Sequence, residues 1–561
     1  MGPVMPVSEA AVRPAPLFVP KLVTVLREGY GLGALRADLV AGLTVAIVAL
    51  PLSMAIAIAS GVGPERGLYT SIIGGAIISL LGGSRYQIGG PAGAFIVLVL
   101  GTVQMHGVDG LLLATMLAGV VMLAAGVLRL GTFVQFVPYP VTVGFTAGIA
   151  VIIFASQVRD LLGLHLTGAE PGALIAKVRV LAGAVGTATP AAMAVAGLTV
   201  GVIAGLRRWR PRWPVLLISV VLASAVSAGF GLGIETIGTH FGGIPSSLPF
   251  PSLPPISFER IEAVLPAALS FALLGSIESL LSAVVADGMS GGRHRSNMEL
   301  VAQGVANIVS PLFGGITVTG AIARTATNVR SGSRGPVSGV LHSVYILVFM
   351  LVAAPLASYI PLAALAGVLA TVAWNMAERH AFASLLRASW GDAIVVVTTF
   401  FITLLWNLTE GIIAGICLSA LLFLRRMAGS ALVQDVSEQL IEPTSRGDIV
   451  TVRITGAFFF GSAGVVAAAL DRIGARPRAY VLDMSDVAAL DSSAAAALRA
   501  FIGRASRAGA LVYVAGAPRV VRRVLLANGL RSPAVRFAET AQAAADAVRA
   551  RISAGDGVGA G

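Results

Sequence analysis

The sequence predicts an α-helical polytopic membrane protein with a small α/β domain at its carboxy end. Three observations predict it. Of 561 residues, 56% are hydrophobic and only 12% charged, a balance outside the range of soluble globular chains. Repeated apolar runs fill the stretch from Asp38 to Met427, each nearly long enough to cross a hydrocarbon core of about 30 Å. After Met427 the composition changes to alternating strand and helix patterns, as in a compact soluble α/β domain.

Taken in order, residues 1–37 are Pro-rich and polar and read as a cytoplasmic segment without a cleavable signal peptide. Spans follow at 38–59, 67–81, 90–105, 110–128, 133–156, 189–206 and 213–230, and then at 261–286, 297–314, 319–331, 335–356, 360–377, 389–406 and 409–427. The loop 231–257, rich in Pro, Gly and Ser, divides these fourteen segments into two sets of seven. An odd number per half inverts one half relative to the other, a plan common in secondary transporters. Residues 428–447 read as a linker, 448–553 as the α/β domain and 554–561 as a disordered tail. Within the α/β domain, strands are expected at 448–460, 479–484 and 511–515, and helices at 462–473, 492–507, 519–527 and 538–552.

The formal charge of +12 lies mostly on arginine, with Lys21 and Lys177 the two lysines. An amino terminus in the cytoplasm places Arg85, Arg129, Arg207, Arg208, Arg210, Arg293, Arg295, Arg425 and Arg426 inside, and leaves Arg66, Arg159, Lys177, Arg179 and Arg260 outside. That is the positive-inside pattern, so both termini are expected in the cytoplasm and nucleic acid is not an expected partner. One cysteine, Cys417, excludes an intrachain disulfide and a Cys-based zinc site, and the six histidines show no metal-ligand spacing. No cofactor or metal is expected, and no nucleophile–base constellation suggests an enzyme.

Two segments in matching positions, the third of each seven, are interrupted by glycine and proline. One opens with Gln87-Ile88-Gly89-Gly90-Pro91-Ala92-Gly93, the other with Gly314-Gly315-Ile316-Thr317-Val318-Thr319-Gly320-Ala321-Ile322. A half-helix starting at the bilayer centre aims unpaired N–H groups and partial positive charge at one point. Two facing starts make an anion site without a basic side chain. The competing reading is that these glycines only allow close helix packing. The other singular feature is Glu278, a lone carboxylate in the apolar stretch Leu265 to Val285. An ionisable group at that depth must face a partner, an ion or water.

These residues resemble the sulfate permease (SulP) family. The resemblance rests on Ala49-Leu50-Pro51-Leu52-Ser53-Met54-Ala55, Gly67-Leu68-Tyr69, Gly89-Gly90-Pro91, Glu278-Ser279, Asn297-Met298-Glu299-Leu300, and Thr319-Gly320 through Arg324-Thr325-Ala326-Thr327-Asn328. The carboxy-terminal domain resembles a STAS domain. The resemblance implies a mobile core (segments 1–4 and 8–11) moving elevator-like against a gate (5–7 and 12–14), in a homodimer of a bacterial inner membrane.

Carried over by position, it implies a substrate site at Gly90, Pro91, Ala92, Gly320, Ala321 and Ile322, and ion coupling at Glu278. Sodium-coupled bicarbonate members tend to carry hydroxyl residues at the Ala92 and Ile322 slots and Asp at the Glu278 slot. The Ala, Ile and Glu here favour a proton over sodium.

Ser53, Gln87 and Arg324 are further candidates. Ser53 and Gln87 offer hydrogen bonds to substrate or to local backbone. Arg324 offers positive potential, or a partner for Glu278. Asp287, Arg293, Arg295 and Glu299 read as a solvated or gate-facing cluster. Asp491-Ser492-Ser493 stands where STAS antagonists carry a phosphorylated serine, although a helix cap explains the same residues.

The expected function is secondary transport of a small anion: sulfate, a related inorganic anion or a C4-dicarboxylate. Exchange or channel conduction of bicarbonate or chloride, with a STAS partner in regulation, is the alternative.

Overall fold

A computed structural model describes residues 18–132, 138–168, 170–210, 213–406, 408–429, 432–435, 449–458 and 477–556. The chain divides into two compact units, Met1–Ile416 and Cys417–Gly561.

In the first unit α1 (Lys21–Arg27) precedes α2 (Leu32–Ala59), which runs through Pro51. The second predicted span is α3 (Pro64–Tyr69), a π-helical turn at Thr70–Gly74 and α4 (Gly75–Leu81). Pro64 sits in the first turn of α3, where its missing N–H costs nothing. The third and fourth spans are one helical run, α5 (Ile96–Val127), entered through a 3₁₀ turn at Gly93–Phe95. Their expected break is a kink at Gly107, whose φ of 69° is open to glycine and strained for other residues.

Next come α6 (Tyr139–Leu162), α7 (Leu174–Gly183), α8 (Pro190–Trp209), α9 (Val215–Gly229) and α10 (Ile237–Phe241). The helix α11 (Phe258–Ser290) is capped by the Ser257 hydroxyl, which accepts from the Arg260 N–H. After it come α12 (Ser296–Val309), α13 (Ile322–Arg330), α14 (Val337–Ala357), α15 (Leu362–Met376), α16 (Arg379–Ala388), α17 (Trp390–Leu405) and α18 (Leu408–Gly429).

Seven described helices are long and apolar enough to cross a membrane unaided, and α9 and α17 are shorter apolar helices. The remaining expected spans fall on broken or short pieces such as α3–α4, α12 and α13. Helices α7, α10 and α16 were not expected. Two are too short to announce themselves by apolar length, and α16 carries Arg379 and Arg387.

Packing joins the two ends of this unit. Helices α11 and α12 lie on α5, and α14 lies on α2, while α15 and α17 lie on α6. Small residues permit close approach: a Cβ on Gly119 of α5 would sit 2.7 Å from the Gly304 carbonyl of α12. Phe95 and Phe271, both buried, meet edge to face with centroids 6.0 Å apart. Outward-facing Val120, Val352 and Leu356 are exposed, as a lipid-facing surface requires.

The second unit contains one mixed sheet. Its strands are β3 (Leu432–Asp435), β4 (Ile449–Phe458), β5 (Ala479–Asp483), β6 (Val487–Leu490), β7 (Leu511–Ala515) and β8 (Arg536–Ala538), β1 and β2 belonging to the first unit. The order is β3-β4-β5-β7-β8, with β6 also on β4. The β3–β4 pair is antiparallel and the others are parallel. Among the described residues, helices α19 (Ser492–Arg507), α20 (Arg519–Ala527) and α21 (Ala541–Asp556) accompany it. Val452, Leu482 and Val514 fill a core with Leu498 and Leu525, and Val481 and Ala515 fill a second core with Ala544 and Val548. The expected helix at 462–473 lies outside the described residues, as does the end of the expected tail, 557–561. Strand β3 falls in the stretch expected to be a linker, and β6 and β8, of four and three residues, are too short to have shown a clear alternation.

Candidate functional site

Within the first unit, the two interrupted segments meet. Gly89-Gly90 forms the strand β1 and Thr319-Gly320 the strand β2, paired antiparallel with Gly89 opposite Gly320 and Gly90 opposite Thr319. The Ala321 N–H donates to the Ile88 carbonyl at 2.9 Å, and the Ile88 N–H donates to Thr325 Oγ1 at 3.1 Å. Asn307 brackets the approach to β2: its Nδ2 donates to the Val318 carbonyl and its Oδ1 accepts the Val318 N–H. Irregular backbone at membrane depth persists only where its polar groups are satisfied within the protein, and these bonds supply that.

Both glycines leave space that a neighbouring side chain fills. A Cβ on Gly90 would lie 1.9 Å from Arg324 Nη1, and one on Gly320 would lie 1.7 Å from Gln87 Nε2. What each glycine makes room for is a side chain and not the backbone of a neighbouring helix.

Each strand runs into a helix start. Ala92 is extended and precedes the turn that opens α5; Ala321 is extended and precedes α13. Neither start has a side-chain cap. The first-turn N–H groups of a helix have no partner within it, so both starts present donors.

Arg324, two residues into α13, is 1% exposed. Its Nη2 donates to Ser53 Oγ at 3.0 Å and to the Pro91 carbonyl at 3.3 Å, and its Nη1 donates to Ser71 Oγ at 3.1 Å. The two hydroxyl oxygens are themselves 2.9 Å apart. Among the described residues no carboxylate lies within ion-pair distance of this guanidinium, and its Nε has no hydrogen-bond partner. A buried cation held only by neutral groups retains its positive potential for an anion.

The structure thus joins Ser53, Gly90, Pro91 and Arg324 directly, with Ala92, Ala321 and Ile322 following along the chain. Glu278 lies on α11, which packs against α13 and β2. Its neighbours on that helix bind the strand region: Gln87 Nε2 donates to Ser279 Oγ at 2.6 Å, Ser282 Oγ donates to Thr325 Oγ1 at 3.0 Å, and Thr319 Oγ1 donates to the Gly275 carbonyl at 3.3 Å. Glu278 itself is partly buried, and its Oε2 is enclosed without a hydrogen-bond partner. No ion pair joins it to Arg324, so the pairing considered for these two is absent from this conformation.

Ser71 and Asn307 were not among the residues picked out from the sequence, and Thr325 was named only for the family resemblance; a Ser, Thr or Asn in an apolar segment gives no signal until its partner is known. His342 on α14 was also missed. It is fully buried, and neither ring nitrogen has a hydrogen-bond partner among the described residues.

Of the cluster expected to be solvated or gate-facing, Arg293 is exposed, while Asp287, Arg295 and Glu299 are wholly or partly buried. Glu299 is fully buried and accepts the Gly83 and Ser84 N–H groups at 2.9 and 3.1 Å. Asp287 bonds His294, and Arg295 bonds the Val19 carbonyl and Thr24. These are loop clamps. In the second unit Asp491 caps α19 by accepting the Ala494 N–H at 2.8 Å, and Ser492 is exposed beside it. The described residues include no group of three or more His, Cys, Asp or Glu side chains able to hold a metal ion.

Comparison with known proteins agrees with this architecture. Residues 35–399 match the model of the sulfate permease family, and residues 441–544 match the STAS domain. The chain is 40% identical over 506 residues to the protein of Bacillus subtilis (strain 168) named "Putative sulfate transporter YvdB", covering 90% of this chain and 95% of that one. It is 32% identical to the bicarbonate transporter BicA of Synechocystis sp., over 88% of this chain and 90% of the other.

Two solved structures extend the match. The transmembrane domain of a cyanobacterial BicA aligns with a TM-score of 0.59 at 30% identity, covering 69% of this chain and 98% of that domain. The overall structure of SLC26A9 aligns with a TM-score of 0.81 over 95% of this chain and 93% of its own, at 17% identity, which is a likeness of fold. With a multi-pass helical unit followed by a STAS domain, the chain belongs to the sulfate permease family of membrane transporters.

Proposed function

We propose that the protein is a proton-coupled secondary transporter of a small anion, taken up between β1–α5 and β2–α13 beside Arg324. The observation that carries this reading is the buried Arg324 guanidinium, without a carboxylate partner, at the place where two uncapped helix starts converge. A small divalent oxyanion such as sulfate matches that donor set, because N–H dipoles and a planar guanidinium bind oxygen atoms directionally. A C4-dicarboxylate presents the same chemistry at each end.

Fourteen segments in an inverted seven-plus-seven repeat fit the matched β1 and β2 interruptions. Segments 1–4 and 8–11 form the moving core and 5–7 and 12–14 the gate. The packing of α5 on α11 and α12, and of α6 on α15 and α17, supports that division. Residues 38–427 form the transport domain and 448–553 the STAS domain, joined by 428–447, which also lends β3 to the STAS sheet, with both termini on the cytoplasmic side of a bacterial inner membrane. The functional unit is a homodimer, and the STAS domain receives a cytoplasmic partner. Glu278 is the coupling group: its enclosed, unbonded Oε2 takes a proton on one side of the membrane and releases it on the other.

A second reading, exchange or channel conduction of bicarbonate or chloride, draws support for bicarbonate from the relative named as a bicarbonate transporter. Proteoliposome uptake of labelled sulfate, bicarbonate and fumarate under imposed pH or sodium gradients separates the two. Proton-driven accumulation is expected to vanish in Glu278→Gln while counterflow persists. Intact accumulation in that variant refutes the coupling role, and no flux of any of the three anions refutes the site.

A further inference from the structure

The second unit carries a charge asymmetry unrelated to the transport site. Between Asp491 and Glu539 the sequence contains eight arginines and no lysine, aspartate or glutamate. Three of them, Arg519, Arg522 and Arg523, lie on α20 and are exposed. With Leu526 they recur at intervals of three and four, so they share one helical face. The opposite face is anchored, since Val521 and Leu525 are buried in the domain core.

Two apolar side chains stand among these charges with nothing over them. Val520 is 70% exposed and Leu526 is 44% exposed. Arg531, just beyond the helix, is exposed as well. Among the described residues, no carboxylate lies within ion-pair distance of Arg519, Arg522, Arg523 or Arg531.

We propose that this face of α20 docks on the anionic headgroups of the bilayer that holds the transport unit. Guanidinium forks pair with phosphodiester oxygens, while Val520 and Leu526 enter the boundary between headgroups and acyl chains. Such a bilayer is close along the chain, because this unit follows directly on α18, a helix long and apolar enough to cross a membrane. A nucleic acid would satisfy the arginines but would have no use for two exposed aliphatic side chains, and no exposed aromatic side chain lies on α20 for bases to stack on.

Only the physiological meaning of the contact rests on the cytoplasmic placement proposed above. Nanodiscs expose both leaflets, so the test is independent of orientation and of transport.

The full chain has one cysteine, so Cys417→Ser with Ala527→Cys gives a single labelling site at the edge of the patch. An environment-sensitive fluorophore there is read in nanodiscs of phosphatidylcholine alone or with one third phosphatidylglycerol, with brominated lipids as quenchers. Quenching is expected in the anionic discs, weakened by high salt. Each arginine contributes about five-fold to partitioning at such a surface, so Arg519→Gln/Arg522→Gln/Arg523→Gln should lower the docking equilibrium constant about a hundred-fold. Equal quenching in neutral and anionic discs overturns the proposal, as does none in either. A shifted emission without bromolipid quenching assigns the face to a protein neighbour. Displacement of the signal by an RNA oligonucleotide at equal phosphate concentration, with no lipid dependence, assigns it to nucleic acid. Both of those outcomes also overturn it.

Discussion

Replacing Gly90 with alanine perturbs the proposed anion site without removing any functional group. The new Cβ would stand 1.9 Å from Arg324 Nη1 and 3.1 Å from Ser71 Oγ. An ordinary contact is about 3.5 Å, so the guanidinium has to retreat by roughly 1.6 Å or the strand has to shift. That exceeds the slack in hydrogen bonds of 3.0 Å to Ser53 and 3.1 Å to Ser71. Overpacking of this kind costs about 1–3 kcal/mol, and a hydrogen bond to a charged group contributes about 1.5–3 kcal/mol. A loss of about 2 kcal/mol in anion binding follows, or roughly thirty-fold in the concentration needed for half-maximal uptake.

The assay is initial-rate uptake into proteoliposomes, with thermal unfolding in detergent measured in parallel. Gly101→Ala on α5 is the control: beyond its own stretch of helix nothing lies within 4 Å of its Cβ position, so it should leave uptake unchanged. Wild-type uptake and wild-type thermal stability in Gly90→Ala would refute the claim that this glycine makes room for Arg324.

Two further perturbations test other sites. Lys177 is 1% exposed, its Nζ 2.9 Å from Glu170 Oε1 and 2.7 Å from Ser156 Oγ, while Gln104 on α5 donates to the Glu170 carbonyl. Lys177→Met should destabilise by about 3 kcal/mol, because it leaves Glu170 unpaired, and adding Glu170→Gln should restore most of the loss; both are read as melting temperature. In the STAS domain, Asp491→Ala should cost about 1 kcal/mol through loss of the α19 cap, and Ser492→Ala should lie within about 0.5 kcal/mol of wild type, both read by denaturant unfolding of that domain's signal.

The parts of this molecule legible in the sequence were those with a long period or a large penalty. Apolar length placed α2, α6, α11 and α14, and strand alternation placed β4, β5 and β7. Glycine and proline in matched positions located the meeting of β1 and β2, because backbone bends at membrane depth need those residues. Arg324 stood out because a buried cation is costly. Its partners Ser53 and Ser71 lie 271 and 253 residues away in the chain, and no local pattern announces such contacts. Short elements such as α7 and β8 take their shape from neighbours, which single-chain periodicity does not contain. The buried role of Glu299 was missed for the same reason: its donors are the N–H groups of Gly83 and Ser84.

The β1–β2 pairing also sets a schedule for synthesis. The bond from the Ile88 N–H to Thr325 closes a loop of 237 residues. At about 5–20 residues per second, the ribosome needs between about 12 and 47 s to deliver the second strand after the first. Throughout that interval the backbone of Gly89 and Gly90 has no strand to pair with, and lipid offers none. The amino-terminal half must therefore wait with this segment in a hydrated or chaperoned state, and pairing of β1 with β2 is a late, high-contact-order event in the biogenesis of the transporter.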